Sequence, residues 1–265
     1  MMLRWGAGIV LTMLLVSGLA PWLATQDPQV MNLQSQYAPP SADHWFGLDE
    51  NGSDVFSKVI YGGRVSLLVA LSVVFCSAGV GLLLGSLAGY SGGVVDRVVM
   101  RLTDIVYAFP GFLLALALVA MLGPALSHLI LAMCLTGWAS FARLIRGEVL
   151  HLKESEYIQA ARALGALPHI IVVKHIWPNL LGVLLVQMTL GIAGAIVTES
   201  GLSFLGLGVP PTTPSWGSLL NSGRHFLMEA PHISLFPGLA IVLLVFGFNL
   251  LGESMRARVT HSRDL

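Results

Sequence analysis

Chemistry needs groups that converge, and the chain contains few candidates. Glu199 is an ionisable group near the outer end of an apolar stretch, and acids at membrane depth face a cavity or a partner more often than lipid. Two uses are open to it: lining or gating a pore, together with the nearby Ser203, or making a hydrogen bond between helices. It has no evident catalytic partner in the sequence. Cys76 and Cys134 sit inside apolar runs and read as small core hydrophobes, since a disulfide framework or a zinc site has no material to work with. The eight histidines are scattered without metal-site spacing; His128, His225 and His232 fall near the outer face, where solvated or interfacial histidines are the usual case. There is no Gly-Lys-Ser or Gly-Lys-Thr loop and no His-Glu-x-x-His motif, so the chain is not expected to be an enzyme. No metal and no cofactor are expected.

The elements that must position these groups are membrane spans. Of 265 residues, 55% are hydrophobic and 11% charged, with a mean hydropathy of +0.79, which places the chain outside the range of soluble domains. Fourteen basic and 14 acidic residues cancel, so no general attraction to nucleic acid is expected. A bilayer core of about 30 Å needs about 20 apolar helical residues. Six stretches qualify, near residues 5–24, 65–90, 105–123, 125–142, 180–204 and 233–252, the fourth diluted by Pro124, Ser127, His128 and Ser140. The expected fold is therefore an all-α, polytopic membrane protein with six transmembrane helices. The first stretch follows a lone Arg4 and reads as an uncleaved signal-anchor, a cleaved signal peptide being the alternative.

With the N-terminus inside, 11 of the 14 basic residues fall on the cytoplasmic side, from Arg4 through Arg97, Arg143 and Lys174 to Arg263, and only Lys58, Arg64 and Arg224 fall outside. Both termini are then cytoplasmic. The expected organisation is a signal-anchor helix (1–24), a periplasmic loop (25–64), a core of five spans (65–255) with an inner loop (143–179) and an outer loop (205–232), and a short cytoplasmic tail (256–265). Gly81, Gly85 and Gly89 recur every four residues and make a face that another helix can approach closely.

The inner loop is patterned. Glu156 to Leu164 reads as a short helix with Ala160, Ala161 and Leu164 on a small apolar face, Gly165 ends it, Pro168 suits the first turn of a second short helix, and Pro178 suits the start of the fifth span. Small residues on an exposed helix suit docking into a groove on another protein, whereas a helix lying on lipid carries bulky apolar residues. In the outer loop Trp45, Phe46 and five acids could meet a partner or the membrane surface, and Asn51-Gly52-Ser53 reads as a tight turn.

Gln159-Ala160-Ala161, then Gly165, then Pro178, resembles the EAA loop of ABC-importer permeases, with Gln159 where the family usually has a glutamate. His44-Trp45-Phe46-Gly47, Asp49, Gly52, Asp54, Ser57 and Arg64-Val65-Ser66 resemble the peptide and nickel branch, as do Ser203-Phe204-Leu205-Gly206-Leu207-Gly208 and Ser215-Trp216-Gly217. Leu48 and Ser53 depart from it, standing where that branch usually has threonine and arginine. The resemblance covers roughly residues 39–258 and implies the type I permease fold in the bacterial inner membrane. It implies a second, homologous permease subunit, two cytoplasmic ATP-binding subunits and a periplasmic or lipid-anchored solute-binding protein, carrying peptides, nickel or metal chelates. Gln159, Ala160, Ala161, Leu164 and Gly165 would dock on the ATPase, Glu199 and Ser203 would serve the pore or its gate, and Trp45, Asp49 and Asp54 would make the periplasmic contact. The competing reading, a stand-alone secondary transporter, predicts repeated halves, and no repeat is visible.

Overall fold

The computed structural model describes residues 2–210 and 213–261; Arg263 and the end of the expected tail lie outside the described residues. Its helices follow the apolar stretches. Helix α1 (Met2–Gly18) is succeeded by the single turn α2 (Ala20–Leu23), with Pro21 in its first turn. The outer loop then runs to Asp54 through a 3-10 turn at Leu33–Ser35 and one antiparallel bridge, Leu48 to Asp54. Within it Asn51-Gly52-Ser53 is the expected tight turn, with Gly52 at φ +67° and packed so closely on Asn32 that no side chain fits.

Asp54 caps α3 (Val55–Ser91), whose 37 residues span about 56 Å, well beyond the membrane core. Then come α4 (Gly93–Tyr107), α5 (Gly111–Leu122), α6 (Leu126–Leu152), α7 (Glu156–Ala163), α8 (Pro168–Ile170), α9 (Trp177–Phe204), α10 (Trp216–Gly223) and α11 (His232–His261).

Four helical runs are long and apolar enough to cross a bilayer, namely Val55–Ser91, Leu126–Leu152, Pro168–Phe204 and His232–Val259. The pair α4 and α5, bent by 83°, would make a fifth. The expected third span, 105–123, is therefore not continuous. Pro110 supplies no amide donor and disfavours the helical conformation at Phe109, so the chain turns there. Helix α1, at 17 residues or about 26 Å, falls just short of a full crossing by length.

Helical structure extends well into the expected inner loop, 143–179. Helix α6 continues to Leu152 because its polar end is held by charge: Arg146 forks onto Asp96 of α4, with Nη2 donating to Oδ2 at 2.6 Å, and Arg143 Nη2 donates to Asp104 at 3.0 Å. On the far side α8 runs without interruption through a π-helical turn, Ile171–Ile176, into α9, so Pro178 lies within a helical run of 37 residues instead of opening one.

The glycine face closes the central contact. A Cβ at Gly85 would lie 2.5 Å from Ala142 O, and one at Gly89 2.9 Å from Val149 Cβ, so α3 and α6 touch backbone to backbone. Gly6 of α1 meets Gly247 and Leu251 of α11 in the same way, which sets the start of the chain beside the end of α11. Gly182 of α9 likewise meets Val259 of α11, so the start of α1, the end of α11 and the start of α9 lie at one end of the bundle.

Candidate functional site

The joint between α6 and α8 is a sharp elbow. Ser155 opens α7, and Ile158, fully buried, pins the helix to the bundle. At its other end Ala166 N–H donates to Ala161 O (3.1 Å) and Gly165 N–H to Arg162 O (3.0 Å), the paired bonds of a left-handed helix stop, with Gly165 at φ +82°. Gln159 and Ala160 are exposed, Ala161 half-buried, and Leu164, at 88% exposure, projects from the turn. The Gln159 amide donates to Glu154 O (2.9 Å), a bond that a glutamate could not make.

Sequence reasoning missed the fixings of this elbow. Arg162 lies over the Tyr90 ring (5.7 Å), Asn179 Nδ2 donates to the Tyr157 hydroxyl (3.3 Å), Lys153 Nζ to Gly89 O (3.2 Å) and Trp177 Nε1 to Ser86 Oγ (3.1 Å). It also missed Leu167, exposed like Leu164. The periodicity of α7 carried no sign of these long-range partners.

At the opposite end Glu199 is fully buried where α3, α9 and α10 meet. Its carboxyl accepts from Ser66 Oγ (2.9 Å), from Ser203 Oγ (2.8 Å) and, at 3.4 Å, from Ser200 Oγ. Ser66 Oγ in turn accepts from the Trp216 amide (3.4 Å), and the Trp216 indole donates to Val59 O (2.8 Å). Of the two uses open to Glu199, the geometry contains the helix-to-helix hydrogen bonds, and Ser203 belongs to the same cluster. The glycines of the two outer motifs let α10 sink in: a Cβ at Gly217 would lie 2.5 Å from Ser200 O, and Gly206, at φ +79°, repeats at the end of α9 the stop seen at Gly165.

The outer loop corrects an expectation. Asp49 and Asp54, foreseen as contact residues, are 2% and 0% exposed and build the loop itself. Asp49 Oδ1 accepts from the amides of Asn51 and Ser53 (2.9 Å each) while its other oxygen pairs with Lys58. Asp54 accepts from Ser57 N–H (2.8 Å) and from the hydroxyls of Ser57 (2.7 Å) and Thr25 (2.9 Å), and faces His44 Nδ1 at 3.2 Å. Trp45, 56% exposed and leaning on Phe56, is the residue of the three that a partner can reach.

The profile of the family described as "binding-protein-dependent transport system inner membrane component" matches residues 81–263. The chain belongs to this family. The permease is 41% identical over 251 residues to the dipeptide transport system permease protein DppC of Alkalihalophilus pseudofirmus, covering 95% of this chain and 83% of that one. It is 42% identical over 248 residues to the glutathione transport system permease protein GsiD of Escherichia coli O157:H7, with 93% and 82% covered. In fold it resembles the inward-facing MetNI methionine ABC transporter, with a TM-score of 0.63 at 19% identity, covering 77% of this chain and 97% of that one.

Among the described residues no group of three or more His, Cys, Asp or Glu could hold a metal ion. His128 faces Gly123 O (3.1 Å), His232 faces Leu48 O (3.0 Å), and His225 Nε2 accepts from Arg224 Nε (3.0 Å), three separate uses.

Proposed function

We propose that the permease forms half of a translocation path for short peptides, paired with a second homologous permease subunit and driven by two cytoplasmic ATP-binding subunits gripped through the elbow. A solute-binding protein delivers the cargo to the opposite face. The observation that carries this reading is the elbow: a leucine left 88% exposed on a turn that is otherwise locked to the bundle by Ile158, Arg162 and Tyr157. An apolar knob on a rigid mount is what a groove on a partner can push against. In this reading α1 and the bent α4–α5 pair complete six spans, both chain ends are cytoplasmic by the placement of the basic residues, and Glu199 with Ser203 tie the outer ends of the helices together. A peptide-type cargo is supported by the DppC and GsiD relatives, and the nickel alternative by the branch resemblance alone.

Affinity capture of the tagged chain from membranes tests the docking. An ATP-binding subunit is expected to copurify with the unaltered chain and to be lost on Leu164→Glu, which leaves α7 and its fixings in place. Retention of the ATPase by Leu164→Glu refutes the elbow as its seat.

A further inference from the structure

A cavity of about 260 Å³ opens between α3, α5, α6 and α9, midway along the long helices. Its polar side chains are hydroxyls: Ser77 from α3, Thr136 and Ser140 from α6, and Thr198 from α9, with Phe112 of α5 also in the lining. Hydroxyls gathered at the middle of apolar helices require a reason, since lipid offers them nothing.

Their protons are mostly spent. Thr136 Oγ1 donates to Met133 O (3.1 Å), Ser140 Oγ to Gly137 O (3.0 Å) and Thr198 Oγ1 to Gly194 O (2.9 Å), each one turn back along its own helix. What these groups turn to the cavity is lone pairs. Ser77 differs: 1% exposed, it makes no bond to a carbonyl of its own helix and lies against Gly137 and Cys134 of α6.

We propose that these four hydroxyls are this chain's half of the cargo contact and take the N–H donors of a short peptide, its ammonium end above all. The inference rests on the permease reading above and adds the residues and the polarity of the contact. Acceptors without charge suit a donor that must bind and leave again, whereas an ionised side chain would trap it. A nickel ion would want imidazole, thiolate or carboxylate, and the lining contains none. At about 260 Å³ the cavity is below the usual 300–1,000 Å³ of a complete site, as expected of one half.

The test uses the assembled transporter in proteoliposomes. In a chain carrying Cys76→Ser and Cys134→Ser, single Thr136→Cys and Thr198→Cys thiols are expected to react with a membrane-impermeant methanethiosulfonate about tenfold faster than Leu135→Cys, outside the cavity on the same helix, because only a wet thiol ionises. Equal rates would overturn the proposal. For uptake of dialanine or glutathione, whichever is carried, Thr136→Val and Thr198→Val are each expected to raise KM about fivefold, with Thr198→Ser restoring it; an unchanged KM would also overturn it. Loss of the permease reading is seen separately, as an unaltered chain that brings down no ATP-binding subunit at all.

Discussion

Replacing Gly85 by alanine adds a single carbon where α3 meets the backbone of α6. That carbon would lie 2.5 Å from Ala142 O and 2.9 Å from Ile145 Cβ. A carbon beside a carbonyl oxygen ordinarily rests at about 3.3–3.6 Å, so the two helices must part by about 1 Å. The obstacle is backbone, and no rotamer can relieve it. Overpacking of this kind costs about 1–3 kcal/mol. Gly79 lies on the same helix with open space for 4 Å around the position a Cβ would take, and there alanine brings only its gain in helix propensity. That gain is common to both variants, so their difference isolates the contact. At about 2–4 °C per kcal/mol for a chain of this size, Gly85→Ala should melt about 2–12 °C below Gly79→Ala, read by size-exclusion fluorescence after heating in detergent. A Gly85→Ala chain as stable as Gly79→Ala would refute the argument that the glycine face exists for this contact.

Two further substitutions probe the outer end. Glu199→Ala strips the acceptor from Ser66 and Ser203 and opens a buried gap; a loss of about 2–4 kcal/mol is expected, measured as a lower melting temperature, with Glu199→Gln, which keeps one acceptor, falling between. Asp54→Ala removes the cap of α3 and the acceptor for Thr25, Ser57 and His44, so a loss of about 0.5–2 kcal/mol confined to the outer loop is expected, seen as faster protease cleavage of residues 25–54 with α3 intact.

Hydropathy marked where the chain crosses lipid but not where its helices end. Helix α6 outlasts its apolar stretch and runs on to Leu152, because Asp96 and Asp104 neutralise Arg146 and Arg143 across 50 and 39 positions of sequence. No local pattern carries such a partner. The elbow was legible because its causes are local: alanines on one face, glycine at the left-handed stop, proline in a first turn. The roles of Asp49 and Asp54 were not, since a carboxylate bound to backbone amides a few residues away and one offered to a partner look the same in sequence.

The elbow and the Glu199 cluster lie at opposite ends of one rod, the run Pro168–Phe204, about 56 Å long. Tyr157 is tied to this rod through Asn179, and the rod to α3 through Trp177 and Ser86, so a push on Leu164 reaches α9 without a hinge between α7 and the bundle. At the turn Ile171–Ile176 the Trp177 amide reaches back to Val172 O, and Pro178 can supply no donor of its own. Beyond that turn α9 continues to Phe204, and under the proposed coupling tilt imposed at the elbow is expected at Glu199 as movement against Ser66 and α10. Under the proposed coupling, this is how closure of an ATP-binding pair at one membrane face is passed to the helix ends at the other.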